Sequence, residues 1–260
     1  MLRAVPGSGV PVTAEFEIGY VVADGAEPRA SLINSAEVRF ELGKPVRAFS
    51  SRKRQRHFPG LWWSSTTGGH VGYESWLERD HLMLLDFDPA VVGIASQPFW
   101  LFWDEEGRRR SHAPDYFARL VDGCAVVVDC RPVERIKPRD AAAFDAMRRA
   151  CELVGWDYRL VGVPDPVLST NVRWLAGYRH PRYRVPGVVA ALREVFVDTA
   201  PLIAGAEEAG DPIVVLPVLF HLLWCGDLTA GLGTVLHDAT PVTLLERGDG
   251  GRTDADATHR

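Results

Sequence analysis

Apolar positions along this chain change period several times, and the changes divide it into elements. AEFEIGYVV (residues 14–22) and NSAEVRFEL (34–42) alternate apolar with polar residues, the period of half-buried strands, and the turn-rich DGAEP separates them. Residues 45–72 are basic and rich in Gly, Ser and Thr around Trp62 and Trp63, which predicts a loop. In YESWLERDHLMLLDF the apolar residues Leu77, Leu84 and Leu85 recur at helical spacing and Asp88-Pro89 supplies a stop, predicting a helix over 73–86. Strand-like runs follow at 91–95, 98–103, 114–120 and 124–131, punctuated by the EEG and DG turns. The helix predicted over 139–154 carries Phe144, Met147, Cys151 and Val154 on one stripe and ends before Gly155. WDYRLVGV then returns to a strand pattern. A strand, helix, strand succession favours a mixed α/β sheet.

Beyond about residue 180 the period becomes helical. VPGVVAALREVFVDTAPLI and DPIVVLPVLFHLLWCG read as two helices, the second with Asp211 as N-cap, Pro212 in its first turn and Gly226 past its end. Followed by the strand-like TVLHDATPVTLL, they predict a small winged-helix-like domain. Its boundary falls in GYRHPRYRVPG, giving a flexible start at 1–13, a first domain over 14–180, the winged-helix-like domain over 181–246 and a disordered tail over 247–260.

Composition narrows the class. With 260 residues and 47% hydrophobic content the chain can bury a full core. Its four cysteines have no C-x-x-C spacing, so neither a zinc site nor a disulfide framework is indicated and a cytoplasmic location is expected. No apolar run approaches the ~20 residues that span a bilayer, so no membrane partner is expected. The net charge of -5 argues against nucleic-acid binding by bulk electrostatics, yet the basic residues are clustered. Arg47, Arg52, Lys53, Arg54, Arg56 and His57 form one run, Arg108, Arg109 and Arg110 a second, and Arg173, Arg179, Arg182 and Arg184 a third. Each is either a phosphate contact or a solvated face.

The charges inside SHAPDYFARLVDGCAVVVDCRP (111–132) raise a question of register. A two-residue Asp122-Gly123 loop would set Asp115 against Cys130 and send Asp129 to the opposite face. A three-residue loop of Val121, Asp122 and Gly123, with Gly123 in the left-handed conformation, sets Asp115 against Asp129. Arg131 then shares their face, and Val126, Val128 and Cys130 pack behind it. Paired carboxylates repel unless a cation neutralises them, most simply Mg²⁺. The competing reading has Asp115 capping a strand and Asp129 paired with Arg131 at a sheet edge.

Glu78 on the preceding helix, Pro114-Asp115 at a strand and Asp129-x-Arg131 on the next strand resemble the PD…(D/E)xK nuclease core. More closely, SWLERDHLMLLDFDPAVVGIASQPF followed by HAPDYF and VVVDCRP resembles the N-terminal domain of TnsA-type transposon endonucleases, over roughly residues 70–245. The resemblance implies a restriction-endonuclease-like mixed sheet flanked by helices. It also implies Mg²⁺, replaceable by Mn²⁺, on Glu78, Asp115 and Asp129, and Arg131 where the motif has Lys. An arginine stays protonated, so Arg131 is a charge stabiliser and not a general base. The activity implied is metal-dependent hydrolysis of DNA phosphodiesters at transposon 5′ ends, at the nucleoid. The partners implied are a recombinase-fold transposase subunit and an AAA+ ATPase that contacts the C-terminal domain. Arg52, Lys53, Arg54 and Arg56 are candidate DNA contacts. Two alternatives stand: a catalytically weak or silent DNA or protein adaptor, and a restriction or branched-DNA nuclease of the same fold.

Several neighbours have two readings each. Glu74 shares a helical face with Glu78 or serves the helix dipole; His81 and His112 are site residues or buried structural histidines. Trp62 and Trp63 stack on a base or cover the core, and Lys137 stands near the position of the missing lysine.

Overall fold

The structure, a computed structural model, describes residues 15–47 and 59–245. In chain order its strands are β1 (Phe16–Tyr20), β2 (Arg29–Ser31), β3 (Gly60–Trp63), β4 (His70–Tyr73), β5 (Val91–Ser96), β6 (Phe99–Glu105), β7 (Arg108–His112), β8 (Tyr116–Leu120), β9 (Ala125–Cys130), β10 (Asp157–Val161), β11 (Ala200–Pro201), β12 (Leu228–Ala230) and β13 (Pro241–Leu244). The helices are α1 (Trp76–Phe87), α2 (Pro138–Val154), α3 (Pro166–Ala176), α4 (Pro186–Val195), α5 (Leu202–Ala209) and α6 (Pro212–Cys225). The fold is mixed α/β. It separates into two compact units, one built within 1–50 and 93–161 and the other within 51–92 and 162–260, a division that does not follow chain order as the expected 14–180 and 181–246 ranges do.

The first unit holds two four-stranded sheets, β2-β1-β6-β7 and β10-β9-β8-β5. The expected alternation of β1 holds: Phe16 and Ile18 are buried and pack with Phe99, Leu101 and Trp103 of β6. Phe117 and Val127 of the second sheet and Ala146, Met147, Ala150 and Cys151 of α2 complete that core. β9, α2 and β10 form the expected crossover unit, with β9 and β10 parallel. Gly155 ends α2 at φ 73°. Residues 34–42 are not a strand. Two short 3-10 turns, Ile33–Ser35 and Phe40–Leu42, bury Ser35 and Phe40, and β1 pairs instead with β2 in the preceding segment. β7 was not anticipated, because Arg-Arg-Arg-Ser-His has no apolar alternation; cross-strand pairing to β6 makes it a strand.

In the second unit the expected loop around Trp62 and Trp63 is a hairpin, β3 paired antiparallel with β4. Helix α1 begins at Trp76, later than expected, because Ser75 caps it by accepting the Glu78 N–H. Helix α3, unread in the sequence, carries its own start signal, Asp165 accepting the Leu168 N–H ahead of Pro166. The long helix expected from 185 is broken: α4 ends at Val195 and α5 starts at Leu202, with β11 between them. Helix α6 has the expected cap at Asp211 and Gly226 at φ 69°. A three-stranded antiparallel sheet of order β11-β13-β12 closes this part. The HLLWCG stretch is core: Leu222, Leu223 and Trp224 are buried with Leu192, Phe196 and Leu219. No helix among the described residues is long and apolar enough to cross a membrane.

Two histidines of this unit, the buried His221 and the half-buried His81, each donate to a backbone carbonyl. His221 Nδ1–H donates to the Tyr178 carbonyl at 2.8 Å and His81 Nε2–H to the Gly162 carbonyl at 2.7 Å. Burial pushes both below the usual 6.5. The unfolded chain therefore binds more protons than the native one as pH falls through that value. Stability present above about pH 6.5 is lost below it, so the urea midpoint is expected to fall between about pH 7.5 and pH 5.5, and to fall less in His81→Gln or His221→Gln. An equal drop in wild type and both variants would refute this.

Candidate active site

The β8–β9 turn decides the site. Gly123 has φ 87°, its N–H donates to the Leu120 carbonyl, and Leu120 N–H donates to the Cys124 carbonyl, both at 2.9 Å. This is the three-residue loop. Tyr116 pairs with Val128 and Phe117 with Val127, so the same register carried one residue further sets Asp115 opposite Asp129. Asp115, Asp129 and Arg131 line one cavity of about 220 Å³, together with Arg47, Trp100, Ser111, His112 and Phe144. The open-edge alternative, in which Asp129 pairs with Arg131, is not what the carboxylate does.

Asp129 is 2% exposed, and both of its oxygens are engaged. His112 Nε2 lies 2.9 Å from Oδ1 and 3.0 Å from Oδ2, and a carboxylate only accepts, so that nitrogen carries the proton. The Tyr158 hydroxyl donates to Oδ2 at 2.9 Å. Burial and the Asp129 charge push Tyr158 far above the ordinary phenol range, and it stays a donor. Burial, with Asp129 second, lifts the Cys151 thiol to about 12, so Cys151 is inert packing and no nucleophile. Phe144 of α2 meets the His112 ring edge-on at 5.6 Å and fixes its plane. Asp115 Oδ2 accepts the Cys130 N–H at 2.7 Å, which ties its rotamer to the partner strand. His112 is thus the residue that sequence reasoning undervalued. Its signal was its place three residues before Asp115, on a polar strand that periodicity could not show.

Glu78 stands in the other unit, on the first turn of α1. Its carboxylate accepts the Glu74 N–H at 2.7 Å and the Ser75 hydroxyl at 2.8 Å, while Ser75 Oγ accepts the Glu78 N–H at 3.2 Å. That is a variant of the capping box, with the carboxylate reaching the N–H of the residue before the cap. Glu74 precedes the helix, so of its two readings the shared helical face does not exist. Lys137 is the N-cap residue of α2 and makes no side-chain cap bond.

The basic clusters are largely spent on structure. Arg109 pairs with Glu17 and, at 3.2 Å, Asp104, and Arg110 with Glu105 at 3.1 Å. Arg173 meets Asp80 at 3.3 Å, Arg184 meets Asp227 at 2.6 Å, and Arg182 donates to the Tyr183 hydroxyl at 3.0 Å. Arg179 lies over the Trp62 ring at 4.1 Å and donates to the Trp63 carbonyl at 2.8 Å, and Trp63 stacks on His180. Both tryptophans therefore cover structure. Arg52, Lys53, Arg54, Arg56 and His57 lie outside the described residues.

A larger cavity of about 740 Å³ in the second unit is lined by Arg179, Arg184, Arg193, His221 and Asp227. Its Arg184 and Asp227 neutralise each other. No family model and no curated protein matches the chain.

Proposed function

We propose that this chain is a metal-dependent DNA endonuclease subunit of a heteromeric cut-and-paste transposase, hydrolysing phosphodiesters at transposon ends. The observation that carries the reading is the β8–β9 register, which brings Asp115, Asp129 and Arg131 to one cavity. The ordered PD and DxR motifs supply the nuclease class, and the TnsA-like segments supply the transposon context, with an AAA+ ATPase and a recombinase-fold subunit as partners. A restriction-endonuclease-like core is supported by the antiparallel β8–β9 pair leading into the parallel β9–α2–β10 crossover. A winged-helix-like part is supported by the order α4, β11, α5, α6, β12, β13.

On this reading the cation is Mg²⁺, held by Asp115 and Asp129 without the Glu78 that the resemblance adds. Asp115 and Asp129 are hard oxygen ligands, and among the described residues no group of three or more His, Cys, Asp or Glu is arranged to hold a metal. Two carboxylates suffice for an ion that keeps several waters and takes the rest of its shell from substrate oxygens. Such an ion supplies Lewis-acid polarisation of the phosphodiester and a more acidic water. The chain's own residues set the stage: the Cys130 N–H fixes Asp115, His112 and Tyr158 fix Asp129, and Arg131 offers permanent positive charge to the phosphate.

Helix α6 suits protein contact better than groove reading. It contains no Lys or Arg, its second half is buried, and Ile213 and Val214 near its start are exposed. The HLLWCG stretch, whose apolar exposure would have marked protein contact, is largely buried, so docking of the ATPase on this part is carried by the resemblance alone.

One observation favours the adaptor alternative: Arg131 replaces the motif's lysine. Nicking of supercoiled plasmid separates the two, with and without the partner proteins. Cutting that needs Mg²⁺ or Mn²⁺ and disappears in Asp115→Ala is expected. An inert wild type, with activity gained by Arg131→Lys, would instead establish the adaptor.

A further inference from the structure

Arg47 lines the same cavity as Asp115, Asp129 and Arg131, and no part of the nuclease motif accounts for it. Its place is set through Gln97. The Gln97 N–H donates to the Asp115 carbonyl at 2.9 Å, and the Gln97 carbonyl accepts the Val46 N–H at 2.9 Å. One peptide unit on each side of Gln97 thus clamps the segment ending in Arg47 to the segment bearing Asp115. Gln97 does this at a cost. It is 2% exposed, adopts φ 46° without being glycine, and buries its Oε1 with no hydrogen-bond partner. Strain of this kind persists where the surroundings over-determine the backbone, here two main-chain bonds that join the cavity walls.

Formal charge makes the second arginine matter. Two carboxylates and two guanidinium groups around the cavity sum to zero, and a bound divalent cation leaves +2, an excess that draws in a phosphodiester anion. Without Arg47 the excess would be halved. A guanidinium also matches the oxygens of a phosphate in a two-pronged contact that a lysine cannot make. We propose that Arg47 is a substrate-phosphate contact of this site, binding the nucleic-acid backbone beside the phosphate held near Arg131, and that Gln97 is the positioning residue that keeps Arg47 in register with Asp115. The inference rests on the phosphodiesterase reading above.

The test uses the full chain and a fluorescein-labelled DNA duplex, with binding followed by anisotropy in Ca²⁺ across a salt series. Arg47→Ala is expected to weaken binding by about tenfold and to lower the slope of log affinity against log salt by about 1. Arg47→Lys keeps the slope, since it keeps the charge. Arg148→Ala, which removes a guanidinium paired with Asp145 on α2, matches wild type. Gln97→Val, branched at Cβ, binds as poorly as Arg47→Ala. Wild-type affinity and slope in Arg47→Ala, with cutting still abolished by Asp115→Ala, would overturn the role of Arg47 and leave the nuclease reading standing. Undiminished cutting by Asp115→Ala, with the slope change still present in Arg47→Ala, would overturn the nuclease reading and leave a DNA contact at Arg47. Absence of DNA binding by wild type would overturn the role of Arg47 and leave the nuclease reading to the plasmid assay with the partner proteins.

Discussion

Asp86→Ala is expected to destabilise the second unit by about 3–5 kcal/mol. Asp86 is 4% exposed at the end of α1, and its carboxylate gathers the hairpin turn that follows β3. The Trp62 indole N–H reaches Oδ2 at 2.9 Å, the Ser64 hydroxyl reaches Oδ1 at 2.7 Å, and the backbone N–H groups of Ser65 and Thr66 donate at 3.2 and 2.9 Å. Ser65 Oγ in turn accepts the Trp224 indole N–H at 2.8 Å, which extends the network to α6. Alanine would strand several part-buried donors at once, each worth about 1–3 kcal/mol when unmet, with some recovered by water. Asp86→Asn should fall between, because its amide nitrogen opposes donors that need an acceptor. Urea unfolding gives the answer: a midpoint shift equivalent to less than about 1 kcal/mol for Asp86→Ala would show that the turn does not depend on this carboxylate.

Asp86 also marks where sequence reading stopped. Its position in LLDFDP was visible as part of a helix end, but not its partners, because the basic and small residues of 45–72 carry no period and read as loop. The hairpin β3–β4 exists through long-range bonds to a carboxylate some twenty residues away in sequence, a link that no local pattern encodes. Residues 34–42 failed for the opposite reason. Their alternation was real, but burial of Ser35 and Phe40 in 3-10 turns replaced cross-strand pairing. What the sequence made legible was local and punctuated: Gly155 closing α2 and Asp211-Pro212 opening α6, whereas Gly123 left two registers open until its left-handed backbone selected the one that sets Asp115 against Asp129. His112 kept two readings because it enters the site from β7, an edge strand of charged residues defined only by its pairing to β6.

Asp115 and Asp129 are expected to respond differently, and the difference separates chemistry from architecture. Asp115 is only partly buried, and its Oδ2 accepts the Cys130 N–H. Its replacement by alanine removes a carboxylate of the proposed metal site and leaves the sheet paired, so on the nuclease reading cleavage should fall by at least about 100-fold while stability changes by about 1 kcal/mol or less. Asp129 serves both ends. Alanine there strands the proton on His112 Nε2 and the Tyr158 hydroxyl in a buried site, costing about 2–4 kcal/mol as well as activity. Tyr158→Phe isolates the architectural share: it removes one donor to Asp129, keeps the ring in the core, and should lower stability by about 1 kcal/mol with a cleavage loss of ~10-fold at most. Cleavage rates and urea midpoints measured on the same preparations check the ordering. Activity lost in Tyr158→Phe as completely as in Asp115→Ala would mean that the Asp129 carboxylate works through Tyr158 rather than as an oxygen ligand.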